Sequence, residues 1–389
     1  MSGAGKIGLC LSGGGSRATA FHLGCLRALH DRGILQRVSV LSSVSGGSIV
    51  AALYAYNNES FEQFEQRVVG VLRKGFVWGI ARETLFSPET PKILATLLTA
   101  GLLAHIGILL SWGARLSVLF GVSPGAVDRF SKRVQAPLRR RASRSTAFER
   151  HLRRHYGDAI LADVKRPALD VVINAAELRT GTAFRFGSKA VGSWRFGTID
   201  APVKVSKAVA ASAAYPLLLP AFDETYRFAR RGVECEERVI LTDGGVYDNL
   251  GITCLVPGRT AEHSANTFDV DFIICCDAGQ GQPTGADIPY TWASRLKASF
   301  ATTHRRTHSM SYNLLHRLAA SGDIRGFLLP YLGQLDHKLP NAPADLVSRE
   351  AVFNYPTDFN PMNTDTIDLL SRRGEQLTHA LIGLYHPGL

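Results

Sequence analysis

The chain has 389 residues, of which 46% are hydrophobic and 20% charged, the balance of a globular protein with enough length for a large core. Its six cysteines form neither a Cys-x-x-Cys pair nor the pattern of a disulfide framework, which excludes zinc and redox sites of that kind. We therefore expect no metal and no cofactor. The stretch before Gly13 is too short and too interrupted for the apolar core of a signal peptide, so a cytoplasmic protein is expected.

The first elements alternate between strand and helix. Residues 6–12 predict a buried strand, and the helical spacing of residues 17–31 follows three glycines. Residues 38–42 predict a second strand, and a second helix begins after Gly46-Gly47. Two such units in tandem favour an α/β fold with a mostly parallel central sheet and helices on its faces. Further along, the chain predicts strands at 169–175, 237–242 and 270–276, a hairpin across Thr180-Gly181, and helices over 204–215, near 290–320 and near 364–385.

Residues 91–122 are far more apolar than their surroundings. The 21 residues from Ile93 to Gly113 carry no full charge, a length that would just span a bilayer. Internal glycines and His105 weaken a transmembrane helix over 93–113. A buried helical insert or lid, a membrane-docking hairpin and a transmembrane helix all remain open.

The net charge of +11 is concentrated in one window. Residues 132–154 contain nine lysines and arginines and one glutamate, a net charge of +8. Such a cluster favours anionic partners, and a solvated helix face with a basic loop is the plain structural alternative. We expect an anionic membrane surface rather than nucleic acid. The chain is predicted to be a single domain over 1–389, with an apolar and basic insertion at 75–155 and a helical extension at 285–389.

Ser45 stands immediately after the second strand and at the start of a helix. This is the setting of a nucleophile elbow, a tight turn whose neighbours at −2 and +2 must be small because strand and helix crowd there. These neighbours are Ser43 and Gly47, so the pattern is Ser-x-Ser-x-Gly rather than Gly-x-Ser-x-Gly. The helix N-terminus behind Ser45 would stabilise developing negative charge.

The triple glycine Gly13-Gly14-Gly15 lies between the first strand and the first helix. Glycines there let backbone N–H groups point at an anion, as in an oxyanion hole, and the N–H of Gly46 could complete it. The same segment also resembles a dinucleotide fingerprint, but that reading expects an acidic residue at the end of the second strand, where Ser42-Ser43 stand.

Asp243-Gly244-Gly245 follows the apolar run Val-Ile-Leu-Thr. A carboxylate at a strand end, on a glycine turn, can be presented to a site at the edge of the sheet. Alone it could equally be a surface turn, and it gains weight beside Ser45 and the triple glycine.

Together these segments resemble the patatin-like phospholipases, in which a glycine-rich oxyanion segment, a Gly-x-Ser-x-Gly serine and an Asp-Gly-Gly aspartate follow in that order. The corresponding segments here are LSGGGSRAT, SSVSGGS and LTDGGVYDNLG, and residues 208–216 resemble the family's Ala-Ser-x-Ala-x-Pro helix. The departures are Ser43 and Ala18, which replace glycines with small residues. The resemblance covers residues 6–60 and 169–280 and is poor elsewhere.

The resemblance implies a three-layer fold and a lipid acyl hydrolase that works with a Ser45–Asp243 dyad and needs no histidine. It implies that Arg17 contacts a substrate phosphate, and the alternative is that Arg17 caps local structure. His22 and His30 are read as structural, whereas His304, His308 and His316 would be the candidates if a histidine were required. The expected partner is a phospholipid or another acyl-ester lipid at a membrane surface. The competing classes are a non-catalytic membrane-associated scaffold and a dinucleotide-binding oxidoreductase.

Overall fold

The computed structural model describes residues 5–134, 136, 138–216, 218–260, 265–282, 285 and 288–389. Its strands are β1 Ile7–Leu11, β2 Val38–Val44, β3 Asp170–Glu177, β4 Thr182–Gly187, β5 Val191–Ser193, β6 Gly197–Ile199, β7 Phe222–Arg230, β8 Val233–Asp243, β9 Phe272–Cys276 and β10 Gly326–Leu328. Its α-helices are α1 Gly15–Asp31, α2 Gly46–Ala55, α3 Phe61–Lys74, α4 Val77–Leu85, α5 Glu89–Thr96, α6 Leu102–Leu116, α7 Pro124–Val134, α8 Arg144–Tyr156, α9 Val205–Ser212, α10 Gly245–Asp248, α11 Trp292–Ser321, α12 Arg349–Val352 and α13 Thr364–Tyr385.

These strands form one mixed sheet in the order β10-β9-β1-β2-β3-β4-β5-β6-β7-β8. The first five strands in that order pair in parallel, as the two strand–turn–helix units predict, whereas β4 to β8 pair antiparallel. The α/β class is confirmed, in a mixed sheet. Of its antiparallel half, the sequence predicted only the hairpin across Thr180-Gly181, which joins β3 to β4. The carboxyl ends of β1, β2 and β9 lie at the same edge, where α/β sheets bind their ligands.

Helices cover both faces of the sheet because alternate residues of the central strands point to opposite sides. On one face, Leu9 and Ile274 pack with apolar residues of α1, α2 and α13 in a core that contains Phe21. On the other face, Cys10 and Ile273 pack in a second core with Leu315 from the C-terminal half of α11. The result is the three-layer arrangement that the family resemblance implies.

Strand β3 brings two distant parts of the chain together. Its first half pairs with β2, which ends where Val44 lies opposite Asn174. On the same edge, its second half pairs with β8, which arrives from the opposite direction and places Asp243 opposite Ala175. The ends of β2 and β8 therefore meet head to head, at consecutive positions of β3. This register places Ser45, which follows β2, beside Asp243.

The apolar segment is a continuous helical stretch, Glu89–Phe120, that includes a π-helical turn at Leu97–Gly101. It is long and apolar enough to cross a membrane, yet only 22% of its most apolar part is buried. The side chains of Leu109 and Leu119 are 71% and 79% exposed. Of the three alternatives left open for this segment, a buried insert is the one that this exposure does not support. Helix α7 folds back and packs against α6, so the segment forms a helical hairpin.

The basic cluster at 132–154 is partly neutralised within the fold. Glu83, which is 2% exposed, pairs with Arg150 at 3.1 Å and with Arg154, and Arg139 pairs with Glu224 at 2.7 Å. In contrast, the side chains of the exposed residues Arg140, Arg141 and Arg144 form no ion pair with any residue that the structure describes. The cluster is thus a structural network with a smaller group of solvated cations, rather than one free cationic face.

Candidate active site

Ser45 has the backbone conformation of a nucleophile elbow. Its φ of 50° and ψ of −120° lie in a region that non-glycine residues rarely adopt, and the side chain is 6% exposed. A Cβ at Gly47 would lie 2.3 Å from the carbonyl oxygen of Leu11, which explains why a glycine follows the elbow. Ser43 is accommodated on the other side, where its hydroxyl donates to the Val172 carbonyl at 3.4 Å.

The C-terminal end of α9 and the residues that follow it hold both Ser45 and Asp243 in position. The Ser45 N–H donates to the Ser212 hydroxyl at 2.9 Å, and that hydroxyl donates to the Asn174 carbonyl at 2.6 Å. The Asp243 N–H donates to the Ala214 carbonyl at 3.1 Å. Ser212 and Ala214 belong to the Ala-Ser-x-Ala-x-Pro block, so this block acts as a clamp on the turn that carries each candidate catalytic residue.

Asp243 is buried at the end of β8, with 3% of its surface exposed. One carboxylate oxygen, Oδ1, accepts a hydrogen bond from the Gly245 N–H at 2.7 Å, while the buried Oδ2 has no hydrogen-bond partner among the described residues. Burial raises the pKa of Asp243 to about 7, against the opposite influence of the Ser45 side chain and the Gly245 N–H. A carboxylate with this pKa is suited to exchange protons near neutral pH.

The triple glycine faces the elbow across the site. The Gly13 N–H already donates to the Asn249 carbonyl at 3.0 Å, so Gly13 does not offer a free donor. The N–H groups of Gly14, Gly15 and Gly46 form no backbone hydrogen bond within the described part of the chain. The two turns are in close contact, since a Cβ at Gly46 would lie 2.1 Å from the Gly15 carbonyl oxygen.

Arg17 is 4% exposed and contributes to the wall of the same cavity. Its guanidinium donates to the carbonyl of Ala278 at 3.0 Å and to that of Tyr355 at 2.8 Å. Burial lowers its pKa to about 10, although the nearby carboxylates of Asp277 and Asp358 act in the opposite direction. These bonds hold two loops against the glycine segment, which favours a structural role for Arg17 over contact with a substrate phosphate.

A cavity of about 720 Å³ contains Ser45 and Asp243 and opens between the glycine turn and helix α11. Its apolar lining includes Leu218, Phe300 and Phe359. This size and this mixture of apolar walls with a few polar groups are typical of small-molecule sites. All the site residues that the motifs predict, except Gly46, line this cavity.

Helix α11 forms part of the cavity wall and carries the three histidines that the sequence analysis kept as alternatives. His304 and His308 line the cavity, whereas His316 packs against Phe327 with ring centroids 4.9 Å apart. Asp277, fully buried after β9, accepts hydrogen bonds from the Tyr312 hydroxyl and the Gly279 N–H. The only sequence signal for Asp277 was its place after an apolar strand, the same signal that singled out Asp243.

His22 and His30, which the sequence analysis read as structural, lie outside the cavity, as does a cluster of two acids and one histidine. His22 is buried, with Nε2 2.9 Å from the Ser12 carbonyl oxygen, and His30 stacks on Phe61. Asp31, Glu375 and His379 bring potential metal ligands close together among the described residues. Glu375 is already paired with Arg27 at 2.7 Å, and the His379 ring accepts from Arg32 at 3.0 Å, so their interactions are satisfied without an ion.

The model of the family described as "Patatin-like phospholipase" matches residues 9–256, which contain Ser45, Asp243 and the triple glycine. The chain therefore belongs to the patatin-like phospholipase family, and the dinucleotide interpretation of the glycines is set aside.

Two known proteins show how far the similarity extends. "Lysophospholipase NTE1" of Mycosarcoma maydis is 38% identical over 81 residues, which are 21% of this chain and 4% of that protein. The structure of human GIVD cytosolic phospholipase A2 covers 98% of this chain with a TM-score of 0.51 and 12% identity, and this chain spans 61% of that one. A second structure of the human enzyme, in complex with methyl gamma-linolenyl fluorophosphonate and terbium chloride, has a TM-score of 0.52. At this identity the human structures support the fold alone.

Proposed function

We propose that this protein hydrolyses carboxylic esters of lipids, with Ser45 as nucleophile and Asp243 as the general base. The observation that carries this proposal is the meeting of a strained, nearly buried serine with a buried carboxylate of raised pKa in one cavity. Perturbed carboxylates beside a potential nucleophile are typical of catalytic sites. Membership of the patatin-like phospholipase family supports the same reaction class.

The proposed reaction has two halves. In the first, Asp243 takes the proton of the Ser45 hydroxyl while Oγ attacks the ester carbonyl carbon, and the carbonyl oxygen becomes an oxyanion. That oxyanion would be bound by the N–H groups of Gly14, Gly15 and Gly46, which make no backbone hydrogen bond in the described residues, with the N-terminus of α2 behind them. Collapse of this intermediate breaks the bond to the alcohol, which leaves with the proton held by Asp243.

In the second half, water replaces the alcohol. Asp243, again a carboxylate, takes a proton from the water as its oxygen attacks the acyl carbon. Collapse of the second intermediate expels Ser45 Oγ, which recovers the proton and releases a free fatty acid. Each group returns to its starting state, so the cycle requires no metal or cofactor.

Release of fatty acid by the purified 389-residue chain tests this proposal. We expect turnover of a lysophospholipid and of p-nitrophenyl butyrate, and no turnover of either by the Ser45→Ala variant. A non-catalytic scaffold of the same fold predicts that the wild-type protein and the variant are equally inactive. That result, on protein shown to be folded, would contradict an enzymatic function.

We further propose that the helical stretch Glu89–Phe120 docks the protein on a membrane. Its exposed leucines form an apolar surface far larger than scattered exposed residues explain, and Arg140, Arg141 and Arg144 add exposed positive charge nearby in sequence. The base of the insertion lies close to the cavity, because Phe76 packs against Phe359, with ring centroids 5.8 Å apart, and Phe359 lines the cavity.

Substitution of two leucines by glutamate tests this docking surface. The Leu109→Glu, Leu119→Glu double variant is expected to bind phosphatidylglycerol vesicles at least about tenfold more weakly, since each buried leucine contributes roughly 2 kcal/mol. Hydrolysis of soluble p-nitrophenyl butyrate should be unchanged. The matched control is Val233→Glu, which changes an apolar side chain that is 66% exposed on the β7–β8 hairpin.

Co-sedimentation with vesicles measures the binding. Equal binding by the double variant and the wild type would refute the docking role. An alkaline carbonate wash then separates two modes of attachment: release of the wild-type protein indicates surface docking, and retention indicates a transmembrane segment within 93–113.

A further inference from the structure

Helix α11 lies outside the residues matched by the family model, yet it forms one wall of the cavity. Lys297, Ala301 and Arg305 all line the cavity, and their spacing of four residues places them on one stripe of the helix. The two cations are thus separated by two helical turns, about 12 Å along the axis. The small alanine between them leaves an open notch with a positive charge at each end.

A second stripe of α11 fixes the orientation of the helix over the site. The rings of Phe300, His304 and His308 follow one another with centroids 6.4 Å and 5.8 Å apart. The rings of Phe300 and Tyr215 pack edge to face with their centroids 6.3 Å apart, and the Tyr312 hydroxyl donates to the buried carboxylate of Asp277. This packing places the cationic stripe along the cavity, where Lys297 is exposed and Arg305 half-buried.

The cationic side chains that line the cavity differ in whether they already have hydrogen-bond partners. Arg17 and Arg349 each donate to two backbone carbonyls. By contrast, the side chains of Lys297 and Arg305 make no hydrogen bond or ion pair with any residue within the described part of the chain. These two side chains therefore have hydrogen-bonding capacity to offer a ligand.

In the described part of the chain, neither the lining carboxylates Asp243 and Asp358 nor the buried Asp277 behind them forms an ion pair with these two cations. Asp277 accepts from Tyr312 and Gly279, and it lies 3.6 Å from His308. The Asp358 side chain accepts from both the backbone and the side chain of Asn360. Both carboxylates thus accept hydrogen bonds from residues other than Lys297 and Arg305.

We propose that Lys297 and Arg305 form a subsite for the phosphate group of an ester substrate, opposite the oxyanion donors. This inference rests on the proposed function, and it assigns the choice of substrate to α11 rather than to the family's glycine-rich segment. A guanidinium binds phosphate through two parallel hydrogen bonds, and a lysine adds a mobile point charge. The acyl carbonyl lies at Ser45 while the phosphate lies in the notch around Ala301.

A pair of soluble esters that differ only in the phosphate tests the subsite. The substrates are hexanoyl glycerophosphate and hexanoyl glycerol, both used below the concentration at which they form micelles, so that membrane docking has no influence. For Arg305→Gln and for Lys297→Gln, we expect the ratio of kcat/KM for the phosphorylated over the neutral ester to fall about tenfold. Arg306→Gln, which alters an exposed arginine of the same helix outside the cavity lining, should leave the ratio unchanged.

The outcomes separate this inference from the proposed function. A ratio that is unchanged in both variants, with hexanoyl glycerol still hydrolysed, would overturn the subsite and leave the hydrolase intact. If no ester is hydrolysed even by the wild type, the proposed function fails, and calorimetric titration with glycerol 3-phosphate then tests the subsite directly. Binding by the wild type that is weakened about tenfold in Arg305→Gln supports it, and equal binding or none refutes it.

Glycerol 3-phosphate also distinguishes the two sources of phosphate. Competitive inhibition of hexanoyl glycerophosphate hydrolysis that is lost in Arg305→Gln shows that the subsite accepts free phosphate esters as well as the phosphate of a lipid. A ratio that falls as expected, without such inhibition, supports a subsite that requires the attached acyl chain.

Discussion

Replacing Ser45 by alanine is expected to lower kcat for lysophospholipid hydrolysis by about a thousandfold or more, because the acyl group of the substrate is transferred to the Ser45 Oγ. Ser45→Ala keeps the Cβ and the N–H that donates to Ser212, so the fold should be retained, as circular dichroism would show. The matched control is Ser309→Ala, which removes a second cavity-lining hydroxyl and should leave kcat nearly unchanged. Comparable activity in Ser45→Ala and the wild type would refute the nucleophile.

The strained backbone at Ser45 leads to a second prediction for this position. A φ of 50° costs a serine of order 1 kcal/mol, and glycine adopts it freely. The Ser45→Gly variant should therefore be inactive and yet no less stable than Ser45→Ala in urea denaturation. Loss of activity without loss of stability is the result expected when a functional residue is held in a strained conformation.

Asp243→Asn is expected to remove activity to a similar extent and to abolish its pH dependence near neutrality. The base must be ionised, and the pKa of Asp243 is about 7, so kcat/KM of the wild type should rise with pH through 7 and level off above it. The measurement is a pH profile with p-nitrophenyl butyrate. If Asp243→Asn retained the wild-type profile, the base would be another group, and His304 and His308 would be the next candidates in the cavity.

The same substitution should change stability in a pH-dependent way. The pKa of Asp243 is raised from 3.8 to about 7, so between these values the folded state holds a proton that the unfolded state has lost. The wild type therefore loses stability as pH rises through this window, by up to about 4 kcal/mol. Asparagine has no such penalty, so Asp243→Asn should be more stable than the wild type at pH 8 and similar at pH 4. Asp368→Asn, at an exposed carboxylate, is the control.

Much of the candidate site could be predicted from the sequence, because short local patterns determine where Ser45, the triple glycine and Asp243 lie. Ser45 and the triple glycine each follow an apolar strand and precede a helix, and the observed strands β1 and β2 lie within two residues of the predicted ones. Asp243 was found in the same way. In each case a few consecutive residues determine the conformation, and the family resemblance links the segments.

The rest depends on contacts between residues that are far apart in the sequence. The register that places Asp243 opposite Ala175 and Val44 opposite Asn174 is a property of β3 pairing with two strands on one edge. No local pattern shows it. Nor could the sequence show that the buried Glu83 neutralises Arg150 and Arg154, or that Arg17 would be engaged by two carbonyls.

Helix α11 is the clearest example of what the sequence could not supply. Its helical character was predictable, but the side of the helix that faces Ser45 depends on Tyr312 reaching Asp277 and on Phe300 meeting Tyr215. Lys297 and Arg305 therefore looked like ordinary surface cations until the helix was placed over the cavity.

Covalent labelling tests the central claim most directly. The 389-residue chain would be treated with a fluorophosphonate, and the modified peptide would be located by mass spectrometry. A single adduct on Ser45, absent from Ser45→Ala and slower to form below pH 7, is the result expected of a serine nucleophile with Asp243 as its base. No adduct on the folded protein, or an adduct at another serine with Ser45 unmodified, would contradict it.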